Sequence, residues 1–421
     1  MKKLIVLFFI FLSIPLLKAT EKGDIVVATD GTGDFKTITE AIGNLSMYNY
    51  QRLVIYVKNG VYNEKIRIEK DYLTIRGESR ENTIIEYSQL RSDWKEKPDF
   101  TGPAVINIHA DDVVLDQLTI RNTQPQLGPH AFTIYGTGTR TIITNCTVTS
   151  KGGDTVSLWN YKNGMYYHAN CYFEGCVDFV CPRGWCFIRD SQFNQLKKTA
   201  TLWHAAVANK DQKFVLRNCK FTGVEGYSLG RHHYEAQFVL IDCQFSKEMA
   251  DKPIYYHQYK DHPEKNRPYF WRDRYYFYNC TKEEQAYSWY ANNLRNAEPP
   301  IHQQSVSASW AFDGLWNPEE KSLPYIIKYE INKNQLTLQF NELVGVDPSL
   351  LLETSTGKKI SFVTGQGRNK ILLKSNQILT PADFEKSLDI RSGRIFGIRA
   401  NIYERVISDS INLRGLITDV E

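Results

Sequence analysis

The run Glu174-Gly-Cys-Val-Asp-Phe-Val-Cys-Pro-Arg-Gly-Trp185 places one acidic residue, Asp178, between Val177 and Phe179 in a segment that otherwise reads as a buried strand. A carboxylate with apolar neighbours on both sides must be paired or functional, because stranding its charge in low dielectric costs several kcal/mol or shifts its pKa. A turn residue or a structural ion pair is its competing role. Metal chemistry is not expected: Cys176, Cys181 and Cys186 lie five residues apart, with no Cys-x-x-Cys or His pair to make a zinc site. Phosphate binding is excluded in the same way. The glycine-rich turn Asp30-Gly-Thr-Gly-Asp34 is followed by no Gly-Lys-Ser/Thr and matches no dinucleotide fingerprint. Thr37-Ile-Thr-Glu40 after it has the spacing of a capping box and predicts a short helix through Ala41 and Ile42. No cofactor is implied.

The elements that must position Asp178 are read from a repeat. Val113-Val-Leu-Asp-Gln-Leu-Thr-Ile120, Thr141-Ile-Ile-Thr-Asn-Cys-Thr-Val148, Tyr167-His-Ala-Asn-Cys-Tyr-Phe173, Phe187-Ile-Arg-Asp-Ser-Gln-Phe193, Phe214-Val-Leu-Arg-Asn-Cys-Lys-Phe221 and Phe238-Val-Leu-Ile-Asp-Cys-Gln-Phe245 share one pattern. Strands recurring about every 20–28 residues, with no helical pattern between them, predict a solenoid, here a parallel β-helix. Equivalent positions then stack about 4.8 Å apart. Cys146, Cys171, Cys219 and Cys243 become an interior ladder of free thiols, with Leu118 and Ser191 as steps of it. Cys176, Cys181 and Cys186 fall outside its register, and their redox state is open. The repeat weakens after Cys280. From about Tyr325, short strands such as Gln335-Leu-Thr-Leu-Gln-Phe340 and Lys370-Ile-Leu-Leu-Lys374 predict a small β-sandwich-like accessory domain. The expected division is a signal peptide over 1–19, the β-helix over 20–300, and a linker with the accessory domain over 301–421.

The signal peptide is read from Lys2 and Lys3, the apolar run Leu4 to Leu17 and the small residue Ala19. That run is shorter than the roughly 20 residues of a membrane span. The expected product is exported to the periplasm or beyond, without a membrane span and as a monomer. A net charge of +4, with 51 Lys and Arg interspersed among 47 Asp and Glu, gives no basic block for nucleic acid and suits an acidic polysaccharide.

Four stretches in order, Val27-Ala-Thr-Asp-Gly-Thr-Gly-Asp-Phe-Lys-Thr-Ile-Thr-Glu-Ala-Ile42, Gly152-Gly-Asp-Thr155, Gly175-Cys-Val-Asp-Phe179 and Leu229-Gly-Arg231, resemble the pectin methylesterases over roughly Ile25 to Leu294. The chain is identified as an exported bacterial member with altered oxyanion positions. The resemblance implies a right-handed parallel β-helix and a metal-free carboxylic ester hydrolase acting on the methyl esters of galacturonic acid in pectin. It puts the nucleophile on Asp178, the general acid and base on Asp154, and the paired arginine on Arg231. Charge supports that division: Arg231 beside Asp178 keeps it ionised, and Asp154, desolvated near a second negative charge, holds a proton.

The chain also departs from the family. His130 stands where a glutamine is usual, and Gly153 replaces a second glutamine just before Asp154. Both amide donors to the oxyanion are missing, so a His130 ring N–H is the expected substitute, with simple filling of the groove as its alternative. Trp203, His233, Tyr234 and Trp159 are candidates for stacking on sugar rings, with ordinary packing as the alternative for each. Arg183 is a candidate for binding a galacturonate carboxylate, or is solvated. These departures point to a branched or substituted pectin. The competing functions are a catalytically weak pectin-binding protein and another pectin-active β-helix enzyme, a lyase or polygalacturonase.

Overall fold

The computed structural model describes residues 24–46, 51–267, 269–413, 415–416 and 418–420; the expected signal peptide lies outside them. The chain winds through three parallel sheets in turn. Sheet 1 has ten strands, from Ile25–Val27 to Tyr275–Tyr278; sheet 2 has nine, from Gly60–Asn63 to Thr281–Lys282; sheet 3 has eight, from Ile66–Ile68 to Tyr255–Tyr256. Each strand pairs in parallel with its equivalent one coil before and after, as Tyr167 does with Phe187 and Phe187 with Val215. This is the parallel β-helix expected from the repeat.

The repeated runs are not single strands. In each, the polar residue ahead of the cysteine position turns the corner from sheet 1 to sheet 2. Gln117, Asn145, Asn170, Asp190, Asn218, Asp242 and Asn279 all have φ between 48° and 55°, a left-handed conformation that Asn and Asp tolerate better than most L-residues. Their side chains link successive coils: Asn145 Nδ2 donates to Asp116 Oδ1 at 2.9 Å, and Asn170 Nδ2 to Asn145 Oδ1 at 2.8 Å. The thiol ladder follows directly behind. Cys146 Sγ donates to the carbonyls of Thr144 at 3.1 Å and Leu115 at 3.6 Å, and Cys171, Cys219 and Cys243 repeat the pattern. Cys280 extends it one coil further, beyond the long excursion of residues 246–274. All eight cysteines are free, which settles Cys176, Cys181 and Cys186 as buried thiols. Inside the coil Phe173, Phe193, Phe221 and Phe245 stack in a column, Phe193 and Phe221 with centroids 4.6 Å apart. Offset pairs of this kind contribute about 0.5–1.5 kcal/mol each beyond their burial. The capping box forms as expected, Glu40 N donating to Thr37 Oγ1 at 3.1 Å.

Sheet 1 is buried on both faces, which is why its strands read as unbroken apolar runs. Outward Val114, Ile142, Tyr167, Phe187, Val215 and Val239 are covered by Ile301, Val306, Ala308, Phe312 and Trp316. Beyond this cover an antiparallel sheet that includes Ile326–Asn332, Gln335–Val346 and Arg368–Ser375 folds around its own core of Leu336, Leu338, Phe340, Leu352 and Leu373. The segment 398–400 fastens it to sheet 1. Arg52 Nη2 donates to the Ile398 carbonyl at 2.8 Å, and Ala400 N donates to Asp112 Oδ1 at 2.9 Å. The 301–316 segment, with the antiparallel sheet beyond it, therefore covers the side of sheet 1.

Candidate active site

The corner from sheet 2 to sheet 3 brings the carboxylates together. Strand Thr147–Gly153 leads into Asp154, and strand Tyr172–Cys176 leads through Val177 into Asp178 one coil later, with Gly153 paired to Cys176. Asp154 and Asp178 both adopt left-handed backbone, with φ of 58° and 54°, and Val177 has φ of 30°. A β-branched residue is strongly disfavoured there, and strain of this kind, about 1–3 kcal/mol per residue, collects at functional sites. Backbone hydrogen bonds pin the corner: Asp154 N donates to the Val177 carbonyl at 3.1 Å and Asp178 N to the Ala200 carbonyl at 2.8 Å.

Arg231 reaches Asp178 from strand Ser228–His232, two coils further on, and grips both of its carboxylate oxygens. The contact uses the single edge formed by Nε, 2.9 Å from Asp178 Oδ1, and Nη2, 2.8 Å from Oδ2. Asp154 has no such partner. His130 Nε2 is 3.8 Å from Asp154 Oδ2, and the Cys181 thiol lies against the same carboxyl. Burial pushes both carboxyl groups up to about 6. The Arg231 pair opposes that rise at Asp178 and stabilises only its charged form, which makes Asp154 the better placed of the two to hold a proton. His130 is held below its ordinary value by burial and by the nearby Arg91 cation, which leaves a neutral ring near pH 7. Its side chain is 48% exposed beside Asp154, so a ring N–H is open to a substrate. At Gly153 a Cβ would sit 3.0 Å from the Val177 carbonyl oxygen. A side chain there would require the corner to give by a few tenths of an ångström.

Two expected sugar contacts are corrected. Trp203 is only 4% exposed, with the Arg183 guanidinium 4.5 Å from its ring centroid and Tyr234 packed edge-on. It supports the groove floor and has no open face for a sugar. Arg183 is also buried: it lies between Trp203 and Trp159, 4.5 Å from each ring centroid, and its Nη1 donates to the Cys181 carbonyl at 2.8 Å. Its charge acts inward, holding Asp154 down against the burial that raises it. Trp159, His233 and Tyr234 remain partly exposed around the carboxylates.

Several neighbours were not singled out in the sequence. His257 and Tyr259 arrive on the 246–274 excursion and pack on His233, Tyr259 stacked at 5.0 Å and His257 edge-on at 4.9 Å. Arg91 begins the helix Arg91–Glu96, an insertion between coils, and its backbone N–H donates to the His130 carbonyl at 2.9 Å. Its guanidinium lies 5.5 Å from the Phe132 centroid and 5.6 Å from that of Trp159, with no side-chain hydrogen bond among the described residues. Neither insertion carries a repeat signal. The outward row Tyr135, Ser157 and Cys181, paired across sheet 3, could have been found once the register was known. The site thus gathers the cations Arg91, Arg183 and Arg231 around two carboxylates, a balance that favours an anionic ligand. No group of three or more potential metal ligands occurs among the described residues.

The family model described as Pectinesterase matches residues 24–238. Putative pectinesterase 11 of Arabidopsis thaliana is 27% identical over 267 residues, covering 62% of this chain and 72% of that protein. Probable pectinesterase 30 of the same plant is 28% identical over 48% of this chain and 41% of its own length, and probable pectinesterase/pectinesterase inhibitor 58 is 28% identical over 50% and 37%. The chain therefore spans less than half the length of the latter two. Among solved structures, pectin methylesterase PemA from Erwinia chrysanthemi aligns with a TM-score of 0.56 at 22% identity, covering 70% of this chain and 98% of that one. A pectin methylesterase in complex with a hexasaccharide aligns at 0.57 and 21% identity, covering 71% and 99%. The carrot pectin methylesterase aligns at 0.53 and 21%, covering 64% and 86%.

Proposed function

Because this chain belongs to the pectinesterase family, we propose that it removes methyl esters from galacturonic acid residues of pectin, with Asp178 as nucleophile and Asp154 as general acid and base. The observation that carries the reading is the bidentate Arg231 grip on Asp178 with a second carboxyl, which no arginine grips, at the same corner of the preceding coil. In the first step an Asp178 oxygen attacks the ester carbonyl carbon, and the developing oxyanion takes a hydrogen bond from His130. As the carbon–oxygen bond breaks, protonated Asp154 gives its proton to the departing methoxide, which leaves as methanol. The Asp178 acyl anhydride remains. Ionised Asp154 then takes a proton from water, the hydroxide attacks the sugar's acyl carbon, and Asp178 departs as a carboxylate beside Arg231. The product is an unesterified galacturonate, and Asp154 is again protonated.

Release of methanol with equivalent acidification, and no new chain ends or ultraviolet-absorbing unsaturated product, tests the esterase reading against a lyase or polygalacturonase. A protein that binds pectin but releases no methanol is a binding module instead. The crowded Gly153 corner and the His233–Tyr259 wall support a substrate richer than plain homogalacturonan, a branched or substituted pectin. Release from plain, highly methylated homogalacturonan as fast as from branched pectin would remove that refinement. Export to the periplasm or outside the cell is part of the proposal, and among the described residues no helix is long and apolar enough to cross a membrane.

His130→Ala is expected to lower kcat by about 10²–10³ with little change in KM, the cost of one oxyanion donor. His130→Gln, which restores a donor at the same place, is expected to recover most of it. An unchanged kcat for His130→Ala assigns the oxyanion to another group.

A further inference from the structure

A second cleft lies far from sheet 3, where the first coils of sheet 1 meet the antiparallel sheet. Its volume is about 420 Å³, within the roughly 300–1,000 Å³ of small-molecule sites, which favour such junctions. Five arginines line it against three carboxylates. Three of the arginines are paired: Arg76 with Asp116 at 2.9 Å, Arg394 with Asp347 at 3.1 Å, and Arg405 with Glu342. The other two face no carboxylate at ion-pair distance. Arg52 is already engaged: its Nη2 donates to the carbonyls of Asp112 at 2.9 Å and Ile398 at 2.8 Å, its Nε again to Ile398 at 3.2 Å and its Nη1 to the Thr74 hydroxyl at 3.1 Å, and the Asp112 carboxylate supports its charge. Arg399 is half-buried and makes no hydrogen bond or ion pair among the described residues. A guanidinium withdrawn from water without a counter-charge is costly, and an anion in the cleft would relieve that cost. Tyr403, 39% exposed, adds an aromatic face to the same wall.

We propose that this cleft is an accessory binding site for a carboxylate-bearing sugar, an unesterified uronate of the polymer, gripped by Arg399 with its ring against Tyr403. An arginine fork matches a carboxylate, and an aromatic face matches the apolar side of a pyranose. The choice of uronate rests on the pectin reading; the partnerless Arg399 does not.

Calorimetric titration of the full protein with trigalacturonate, which has no ester to lose, tests it. Two classes of site are expected, and Arg399→Glu should remove one of them, at least tenfold in affinity. Methanol release from a short methylated oligomer should stay within about twofold. Tyr403→Ala provides an independent arm, with a several-fold loss from the same class. Trigalacturonate binding unchanged by Arg399→Glu and Tyr403→Ala would overturn the proposal. So would displacement of the trimer by inorganic phosphate of equal affinity, which would mark a bare anion site. Loss of the Arg399-dependent class in a protein that releases no methanol would keep this site while sinking the esterase reading; methanol release with one class of site throughout would do the reverse.

Discussion

Asp178→Asn is expected to reduce methanol release by roughly 10⁴-fold or more while leaving a folded protein. The substitution removes the attacking oxyanion at constant volume, and no neighbouring group replaces it, since Asp154 lacks the arginine that keeps a carboxylate ionised and aimed. Asparagine still offers Arg231 one acceptor. Asp178→Ala would instead leave that guanidinium, which is 21% exposed at its side chain, without its carboxylate and with only the Tyr255 hydroxyl beside it. Breaking such a pair costs about 3–5 kcal/mol when it is fully buried, and less at this exposure. The two variants therefore separate chemistry from support: both lose activity, and only alanine should lose several degrees of thermal stability. Methanol release by Asp178→Asn at the wild-type rate, with circular dichroism confirming the fold, would exclude Asp178 as nucleophile.

The second expected result is a gain in stability at the cost of function. Asp154 has its carboxyl raised by burial from 3.8 to about 6. A carboxyl raised on folding holds its proton more tightly in the native state, so its contribution is fully present below pH 4 and is lost as pH climbs through 6. Above that point the ionised group opposes folding by up to about 3 kcal/mol. Asp154→Asn removes the ionisation, so its Tm should exceed that of the wild type by a few degrees at pH 8, with the gap closing near pH 4. Activity should fall by about 10²–10⁴, since both proton transfers pass through this residue. A variant less stable than wild type at pH 8 would show that Arg91 and Arg183 compensate the charge more fully than burial penalises it.

The β-helix was legible because its cause is periodic: one coil's apolar pattern must repeat in the next if the two are to stack, and the thiol column from Cys146 to Cys243 recorded that directly. The corner residues were equally visible as letters, yet their meaning was not, since an Asn ahead of a Cys reads as a polar residue in a strand until its φ of about 50° is known. At the site, Asp178 stood out as a charge among apolar neighbours, and the resemblance supplied Asp154 and Arg231. The burial of Trp203 and Arg183 was hidden because an indole and a guanidinium are as often exposed as packed, and here they pack on each other. Arg91, His257 and Tyr259 were hidden for a different reason: each enters on an excursion whose length follows no repeat, and only the closed fold brings it back to the groove.

The placement of Asp154 and Asp178 at one corner of consecutive coils makes their spacing a counted quantity, one rung. Gain or loss of a whole coil elsewhere would lengthen or shorten the groove on sheet 3 and leave the reacting pair untouched, because every coil contributes the same rise of about 4.8 Å. The reach of such an enzyme along a polymer can thus change freely while its chemistry stays fixed. A single residue inserted between Gly153 and Asp178 has no such freedom. It would either break the Gly153–Cys176 pairing or turn one carboxyl out of the corner, so this short interval is where length variation should be least tolerated.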